Sequence, residues 1–265
     1  MNRFKRALLA GEQQIGLWCT LSTAFAAEVV ADAGFDWLLL DTEHSPGDVL
    51  TVLGQLQALS GHSVPAMVRP ASNDPVLIKR YLDIGAQSLL IPYVQSAREA
   101  EAAVAAIRYP PDGIRGVSTL TRATRFGRTA DYADRIEAEL CLIVQIETRQ
   151  ALAALEEIAA VEGVDAIFVG PADLAASLGH IRQPDHPDVI AAVEDALRRI
   201  ALCGKPSGIL TADPAFALRC IELGTRFTAV GVDAGLLARA ADDLAESFRT
   251  AMPVRERTNA HNEPR

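Results

Sequence analysis

Short apolar runs recur along the chain at 15–20, 37–41, 65–69, 88–93, 140–147, 166–170, 207–211 and 227–232. Runs of this length that lack strict alternation read as strands of a parallel sheet covered on both faces. Between them, apolar positions returning every three to four residues predict helices over 24–33, 49–59, 75–84, 97–107, 151–159, 189–202, 214–223 and 236–248. Gly34, Gly85 and Gly224 each stand where such a helix would end and a strand begin. Eight strand–helix units in a chain of 265 residues predict an α/β fold, a (β/α)8 TIM barrel. An open doubly wound sheet would carry fewer strands and a Gly-x-Gly-x-x-Gly turn after the first, which this sequence lacks.

Length and a hydrophobic content of 49% fit one domain, expected over 1–252. The segment 253–265 is polar and is expected to be a poorly ordered tail. A net charge of −9 argues against a nucleic-acid or anionic-membrane partner, and no apolar run reaches the roughly 18 residues of a bilayer span. Cys19, Cys141, Cys203 and Cys220 form no Cys-x-x-Cys pair and read as buried thiols of a reducing compartment, so a cytoplasmic protein with a small-molecule ligand is expected.

Three runs end in acids: Asp41-Thr-Glu43-His44, Gln145-Ile-Glu147 and Gly170-Pro-Ala-Asp173. In a barrel these sit on the C-terminal rim, where barrel enzymes place their chemistry. Glu147 and Asp173, from neighbouring strands, could share one hard cation, Mg²⁺ or Mn²⁺, with Co²⁺ as a third option; water and a bidentate 2-oxo acid would complete its shell. Either acid alone reads equally well as an ordinary rim charge. A short helix after Gly170 would aim free backbone N–H groups at a substrate carboxylate, unless Asp173 simply caps it.

Asp41, or alternatively Glu43, could orient His44 as a general base. The other histidines, His62, His180, His186 and His261, read as packing or surface. Arg69 ends an apolar strand, either facing a developing enolate or pairing with a rim acid such as Glu147. Lys5, Lys79 and Lys205 all fall away from strand ends, which argues against a Schiff-base lysine at the barrel mouth. The long connection after residue 107, rich in arginine at Arg122, Arg125 and Arg128, reads as a flap over the rim, a subunit contact or a plain surface excursion.

In this order the motifs resemble the metal-dependent pyruvate aldolases of the 4-hydroxy-2-oxoheptanedioate aldolase family. They are Ile15-Gly-Leu-Trp18, Gly34-Phe-Asp-Trp-Leu-Leu-Leu-Asp41, Glu43-His44, Val68-Arg-Pro70, Arg108-Tyr-Pro-Pro111, Gly113-Ile-Arg-Gly116, Val144-Gln-Ile-Glu-Thr148, Val161-Glu-Gly-Val-Asp165, Gly170-Pro-Ala-Asp-Leu174 and Val230-Gly-Val-Asp233. The resemblance implies class II cleavage of 4-hydroxy-2-oxo acids to pyruvate or hydroxypyruvate and an aldehyde. It further implies a divalent metal on Glu147 and Asp173, an Asp41–His44 pair as base and Arg69 facing the enolate. Gln145 would line the site, and the backbone of Ala172 and Asp173 would receive the pyruvate carboxylate. Asp83 would reach a neighbouring subunit's site in a homohexamer, a dimer of trimers that swaps its last helix between subunits. Val117 and Leu210 are expected near the acceptor aldehyde. Thr42 and Ala175 depart from the glycine and serine expected there. Rival readings are a 2-dehydro-3-deoxy sugar acid aldolase, an oxaloacetate decarboxylase, and a non-catalytic barrel that binds an oxo acid.

Overall fold

The computed structural model describes residues 2–252. Eight parallel strands close in chain order into a barrel: β1 (Gln14–Cys19), β2 (Trp37–Asp41), β3 (Ala66–Arg69), β4 (Ser88–Ile91), β5 (Cys141–Ile146), β6 (Ala166–Val169), β7 (Ser207–Leu210) and β8 (Phe227–Val232). The outer layer starts with α1 (Arg3–Leu9), α2 (Ala24–Ala31), α3 (Val49–Ala58), α4 (Pro75–Asp83), α5 (Ala97–Ile107) and α6 (Tyr132–Glu139). It continues with α7 (Arg149–Ala153), α8 (Leu155–Ala159), α9 (Pro171–Leu178), α10 (Pro187–Leu202), α11 (Pro214–Glu222) and α12 (Asp233–Ala251). The polar tail expected over 253–265 lies outside the described residues.

Local chemistry sets the element boundaries. Thr23, Asp48, Asp74, Ser96 and Asp213 cap the helices that follow their strands, each side chain accepting a backbone N–H of the first turn. Pro75 and Pro214 then occupy first-turn positions, where a missing N–H costs nothing. Gly34, Gly85 and Gly224 all take left-handed backbone, φ +91°, +100° and +102°, as the cap reading requires. The helix predicted over 151–159 is split at Ala154 into α7 and α8. Periodicity did not announce α1 or α6, which present one or two apolar anchors each: Phe4 and Leu8, and Ile136.

The core has two parts, and the alternation along each strand sorts residues between them. Trp37, Leu39, Met67, Cys141, Ile143, Ala166 and Phe168 point into the barrel, joined by Phe4 and Leu8 of α1, which plug its N-terminal mouth. Leu38, Leu40, Val68, Leu142, Val144, Ile167 and Val169 point outward beneath the helices. Continuing the inward parity toward the C-terminal rim reaches Asp41 on β2, Arg69 on β3, Gln145 on β5 and Glu147 just after it, and Gly170 after β6. Fold and site are therefore one pattern.

Two other segments matter for function. The connection 108–131 leaves the end of α5 and runs along the N-terminal side, where the Arg122 guanidinium donates to the carbonyls of Ile84 and Leu56, and Ala123 N–H donates to Asp83 O. A flap over the C-terminal rim is thereby ruled out for this connection within its own chain, because it sits at the opposite end of the barrel. Helix α12 packs at its start on β1 and β8, then runs free: every residue from 236 to 251 is exposed.

Candidate active site

Asp41 and Arg69 are direct partners in the β2–β3 register. Arg69 donates from Nε to Asp41 Oδ1 at 2.8 Å and from Nη2 to Asp41 Oδ2 at 2.7 Å. Trp18 Nε1–H donates to Asp41 Oδ2 at 3.3 Å, Glu43 N–H donates to Asp41 Oδ1 at 3.0 Å, and the guanidinium lies 4.9 Å above the Trp18 ring. Burial pulls the Asp41 carboxyl upward, but its bonds to Arg69 outweigh this and hold it below the ordinary carboxylate value. Arg69 Nη1 forms an ion pair with Glu43 Oε2 at 2.8 Å. Two of its five N–H groups are thus hydrogen-bonded, both to Asp41, and Glu43 Oε2 faces the guanidinium as a charge without accepting a hydrogen bond.

The expected Asp41–His44 contact is not formed. Both Asp41 oxygens are taken by Arg69, Trp18 and the Glu43 backbone, and the acid nearest His44 is Glu43, with Oε1 3.9 Å from Nε2. The His44 side chain is 63% exposed at the rim. Nor is the salt-bridge partner of Arg69 Glu147; it is Asp41 with Glu43. Thr42, where glycine was expected, donates from its hydroxyl to Arg69 O at 2.7 Å and accepts from Tyr81 Oη at 3.0 Å, which ties the β2 turn to β3 and α4.

Glu147 is almost wholly buried. Its Oε1 accepts Tyr93 N–H at 2.9 Å and its Oε2 accepts Gln145 Nε2–H at 2.6 Å. Burial first, then the neighbouring charges of Asp173 and Glu43, push its carboxyl up to about 7. Glu43 is raised by the same two causes, burial and nearby acids including Asp173, against the pull of Arg69 and His44. Glu147, Asp173 and Glu43 therefore share one electrostatic neighbourhood. Gly170 makes room for it, since a Cβ there would lie 2.6 Å from Glu147 Oε2 and 2.8 Å from Gln145 Nε2.

Helix α9 opens on this space. Gly170 is its N-cap without a capping side chain, Pro171 and Ala172 follow, and Asp173 lies in the first turn rather than at the cap. Leu210 ends β7 against the inner core. Val117 and Asp83 are placed differently: Asp83 ends α4 at the N-terminal side, bonded to Arg115 Nη2 at 3.1 Å, and Val117 is 71% exposed two residues beyond Arg115. Neither lines this chain's own rim. Pattern reading missed the Tyr93 N–H as a Glu147 donor and Trp18 as an Asp41 donor, since both depend on contacts between neighbouring strands, β4 with β5 and β1 with β2.

The donor set fits a hard divalent ion: oxygen ligands only, a buried carboxylate with like-charged neighbours, and Gln145 Oε1 buried with no protein partner. The three lysines lie away from the rim: Lys5 pairs with Asp165 at 3.0 Å, Lys205 donates to Val164 O, and Lys79 lies on α4 beside Gly116.

A closed parallel barrel that gathers acids and an anchored arginine on its C-terminal rim defines a barrel enzyme of the class that places its chemistry on that face. Residues 14–240 match the family model described as HpcH/HpaI aldolase/citrate lyase, and the chain belongs to that family. It is 67% identical over 250 residues to the pyruvate aldolase of Rhizobium etli, covering 94% of this chain and 98% of that one. It is 53% identical over 255 residues to the hydroxypyruvate/pyruvate aldolase of Pseudomonas aeruginosa, covering 96% and 95%. A crystal structure of an HpcH/HpaI aldolase/citrate lyase family protein from Burkholderia cenocepacia J2315 superposes with a TM-score of 0.90 at 40% identity, covering 94% of this chain and all of that one. The chain is an aldolase, a carbon–carbon lyase of a family whose members depend on a divalent metal.

Proposed function

We propose that this aldolase cleaves 4-hydroxy-2-oxo acids reversibly to pyruvate or hydroxypyruvate and an aldehyde, with Mg²⁺ or Mn²⁺ held by Glu147 and Asp173. The observation that carries the reading is the buried Glu147, raised to about 7 beside two further acids, which a divalent cation would stabilise in its charged form. When bound, the cation supplies Lewis-acid polarisation of the substrate's 2-oxo group.

The chain's own groups do the rest. The first turn of α9, at Ala172 and Asp173, receives the substrate carboxylate on free N–H groups. Gln145, held by Glu147, lines the same space. His44, or a water it holds, takes the proton from the 4-hydroxyl; the C3–C4 bond breaks, its electron pair forms a C2–C3 double bond as the 2-oxo pair moves onto oxygen, the aldehyde leaves, and C3 of the enolate takes the proton back to give the oxo acid. Arg69 offers N–H donors not bound to Asp41 to the enolate oxygen, while Asp41 keeps the guanidinium aimed. Leu210 borders the aldehyde side.

Asp83 and Val117 enter this scheme only from a second copy, which supports a homohexamer, a dimer of trimers. The exposed face of α12 supports exchange of that helix between subunits: Leu237, Leu244 and Phe248 are 61%, 61% and 63% exposed on one stripe. Unpaired thiols, three of them buried, support a reducing cytoplasmic setting.

Incubation with pyruvate, Mn²⁺ and a panel of aldehydes tests the function directly. The expected result is a 4-hydroxy-2-oxo acid, formed only with the metal present. Release of CO₂ from oxaloacetate without any aldol product would assign a decarboxylase instead.

A further inference from the structure

Strands β8, β1 and β2 are neighbours, and the segments that follow them on the rim are tied together. Asp233, the first residue of α12, is buried and makes the first tie. Its Oδ1 accepts Thr20 N–H at 2.8 Å, the Thr20 hydroxyl at 3.0 Å and Ala234 N–H at 2.7 Å, and its Oδ2 accepts Leu21 N–H at 3.2 Å. Four donors compensate the burial of this carboxylate, and in return it fixes the backbone that leaves β1.

Ser22 comes next, at φ +54°, a left-handed conformation that a residue other than glycine keeps only where its surroundings hold it. Ser45 Oγ donates to Asp41 O and accepts Gly47 N–H at 3.3 Å. The Ser22 hydroxyl then stands as a donor, 3.1 Å from Ser45 Oγ and 3.1 Å from Thr20 O. Gly47 permits this close approach, since a Cβ there would lie 3.1 Å from Ser22 Oγ, 3.2 Å from Asp41 O and 3.3 Å from Ser45 Oγ. The bond from Ser45 to Asp41 O closes the turn that carries Glu43 and His44 at its base. The His44 side chain is 63% exposed and its nearest acid is 3.9 Å away, so the backbone of that turn decides where the imidazole stands.

We propose that Asp233 is a positioning residue for the turn that carries His44, acting through the loop after β1 and the Ser22–Ser45 contact. This rests on the reading of His44 as the proton carrier. Asp233 touches no reacting atom; it sets the loop, the loop sets Ser45, and Ser45 sets the turn. Glu147 and Asp173, the proposed metal ligands, stand after β5 and on α9, outside this network. Disturbing the network therefore slows proton transfer and leaves metal affinity as it is.

Metal-dependent deuterium exchange into pyruvate, followed by proton NMR, tests this with Asp233→Asn and Ser45→Ala, each alone and each combined with His44→Ala. Asparagine at 233 keeps the shape but turns one acceptor oxygen into an NH₂ group, so the bond to Thr20 or to Leu21 is lost. Ser45→Ala deletes a half-buried hydroxyl further along, so misfolding of Asp233→Asn leaves the test intact. Each single variant is expected to slow exchange by about tenfold, the cost of a misplaced rather than a missing group, with Mn²⁺ affinity by calorimetry unchanged. In the His44→Ala background neither substitution is expected to slow exchange further, because the group they aim is gone. Wild-type exchange in both single variants, with His44→Ala slowed, overturns the proposal and leaves His44 as proton carrier. Equal slowing with and without His44 overturns it as well, and so does a loss of Mn²⁺ affinity that accounts for the slowing. Wild-type exchange in His44→Ala overturns the reading of His44 and this proposal with it.

Discussion

Asp41 and Arg69 face each other across the β2–β3 register and close a two-bond fork, 2.8 and 2.7 Å, that Trp18 backs from the barrel interior. A planar guanidinium can make that fork and still present free N–H groups; an ammonium cannot. Arg69→Lys keeps the charge and loses the geometry. It is expected to lower kcat for aldol cleavage by about 10²-fold or more, the range for removing one donor to a developing oxyanion, while KM for the oxo acid changes far less. Steady-state kinetics, with circular dichroism as a control on folding, makes the comparison. Wild-type kcat in the lysine variant would remove Arg69 from enolate stabilisation.

Gly170 gives a narrower probe of the metal ligand. Alanine there places a Cβ 2.6 Å from Glu147 Oε2 and 2.9 Å from Glu147 Cβ, so the carboxylate must shift. Gly170→Ala is expected to weaken Mn²⁺ binding 10–100-fold, a range typical of disturbing a ligand's support. Calorimetry reads this directly, and an unchanged affinity would mean that Glu147 does not hold the ion.

The rim groups were legible in the sequence because strand parity is rigid. Once Trp37 and Leu39 face inward, Asp41 must follow, and Cys141, Ile143 and Gln145 carry the same count to Glu147. Side-chain partnerships between neighbouring strands were not legible. Asp41 three residues before His44 looked like an oriented base, but the turn aims Asp41 across to Arg69 and leaves His44 in solvent. The connection 108–131 had no periodicity to show which end of the barrel it covers; the bonds of Arg122 to Ile84 and of Arg115 to Asp83 decide that.

The raised carboxyl of Glu147 gives a pH dependence with a definite sign. Its folded value of about 7 lies above the ordinary 4.5, so folding of the metal-free chain takes up a proton between those values. Stability of the metal-free protein is therefore expected to fall as pH rises through that window, by about 3 kcal/mol at most. Metal must displace the same proton. Mn²⁺ affinity is expected to rise about tenfold per pH unit up to about 7 and to level off above it. Thermal melts with and without Mn²⁺ across this range separate the two slopes, and a flat Mn²⁺ profile would mean that Glu147 is not titrating at the site.

His44 is the exposed proton carrier in the proposed scheme, with Glu43 as its nearest acid in the chain. His44→Ala is expected to slow metal-dependent deuterium exchange into pyruvate by about 10²–10⁴-fold, the usual worth of a general base. Exchange is followed by proton NMR of the methyl group. Glu43→Gln is expected to cost less, because the carboxylate sits 3.9 Å from the imidazole and its closer partner is Arg69. Exchange at the wild-type rate in His44→Ala would move the proton transfer to another group.

Helix α12 carries Leu237, Leu244 and Phe248 at i, i+7 and i+11, an apolar stripe more than 60% exposed in the single chain. Surface substitutions on a solvated helix change stability by roughly 0.5 kcal/mol or less, so Leu237→Asp combined with Phe248→Asp should be harmless if the stripe meets only water. If the stripe docks on another subunit, the double variant breaks the assembly. Sedimentation is then expected to show the wild type at six times the 28.3 kDa chain mass and the variant at a smaller species. Under the proposed assembly activity is expected to fall with it, because Asp83 and Val117 stand at the far end of the barrel from their own rim and would serve only a neighbour's site. A variant that stays hexameric would show that α12 is not the element holding subunits together.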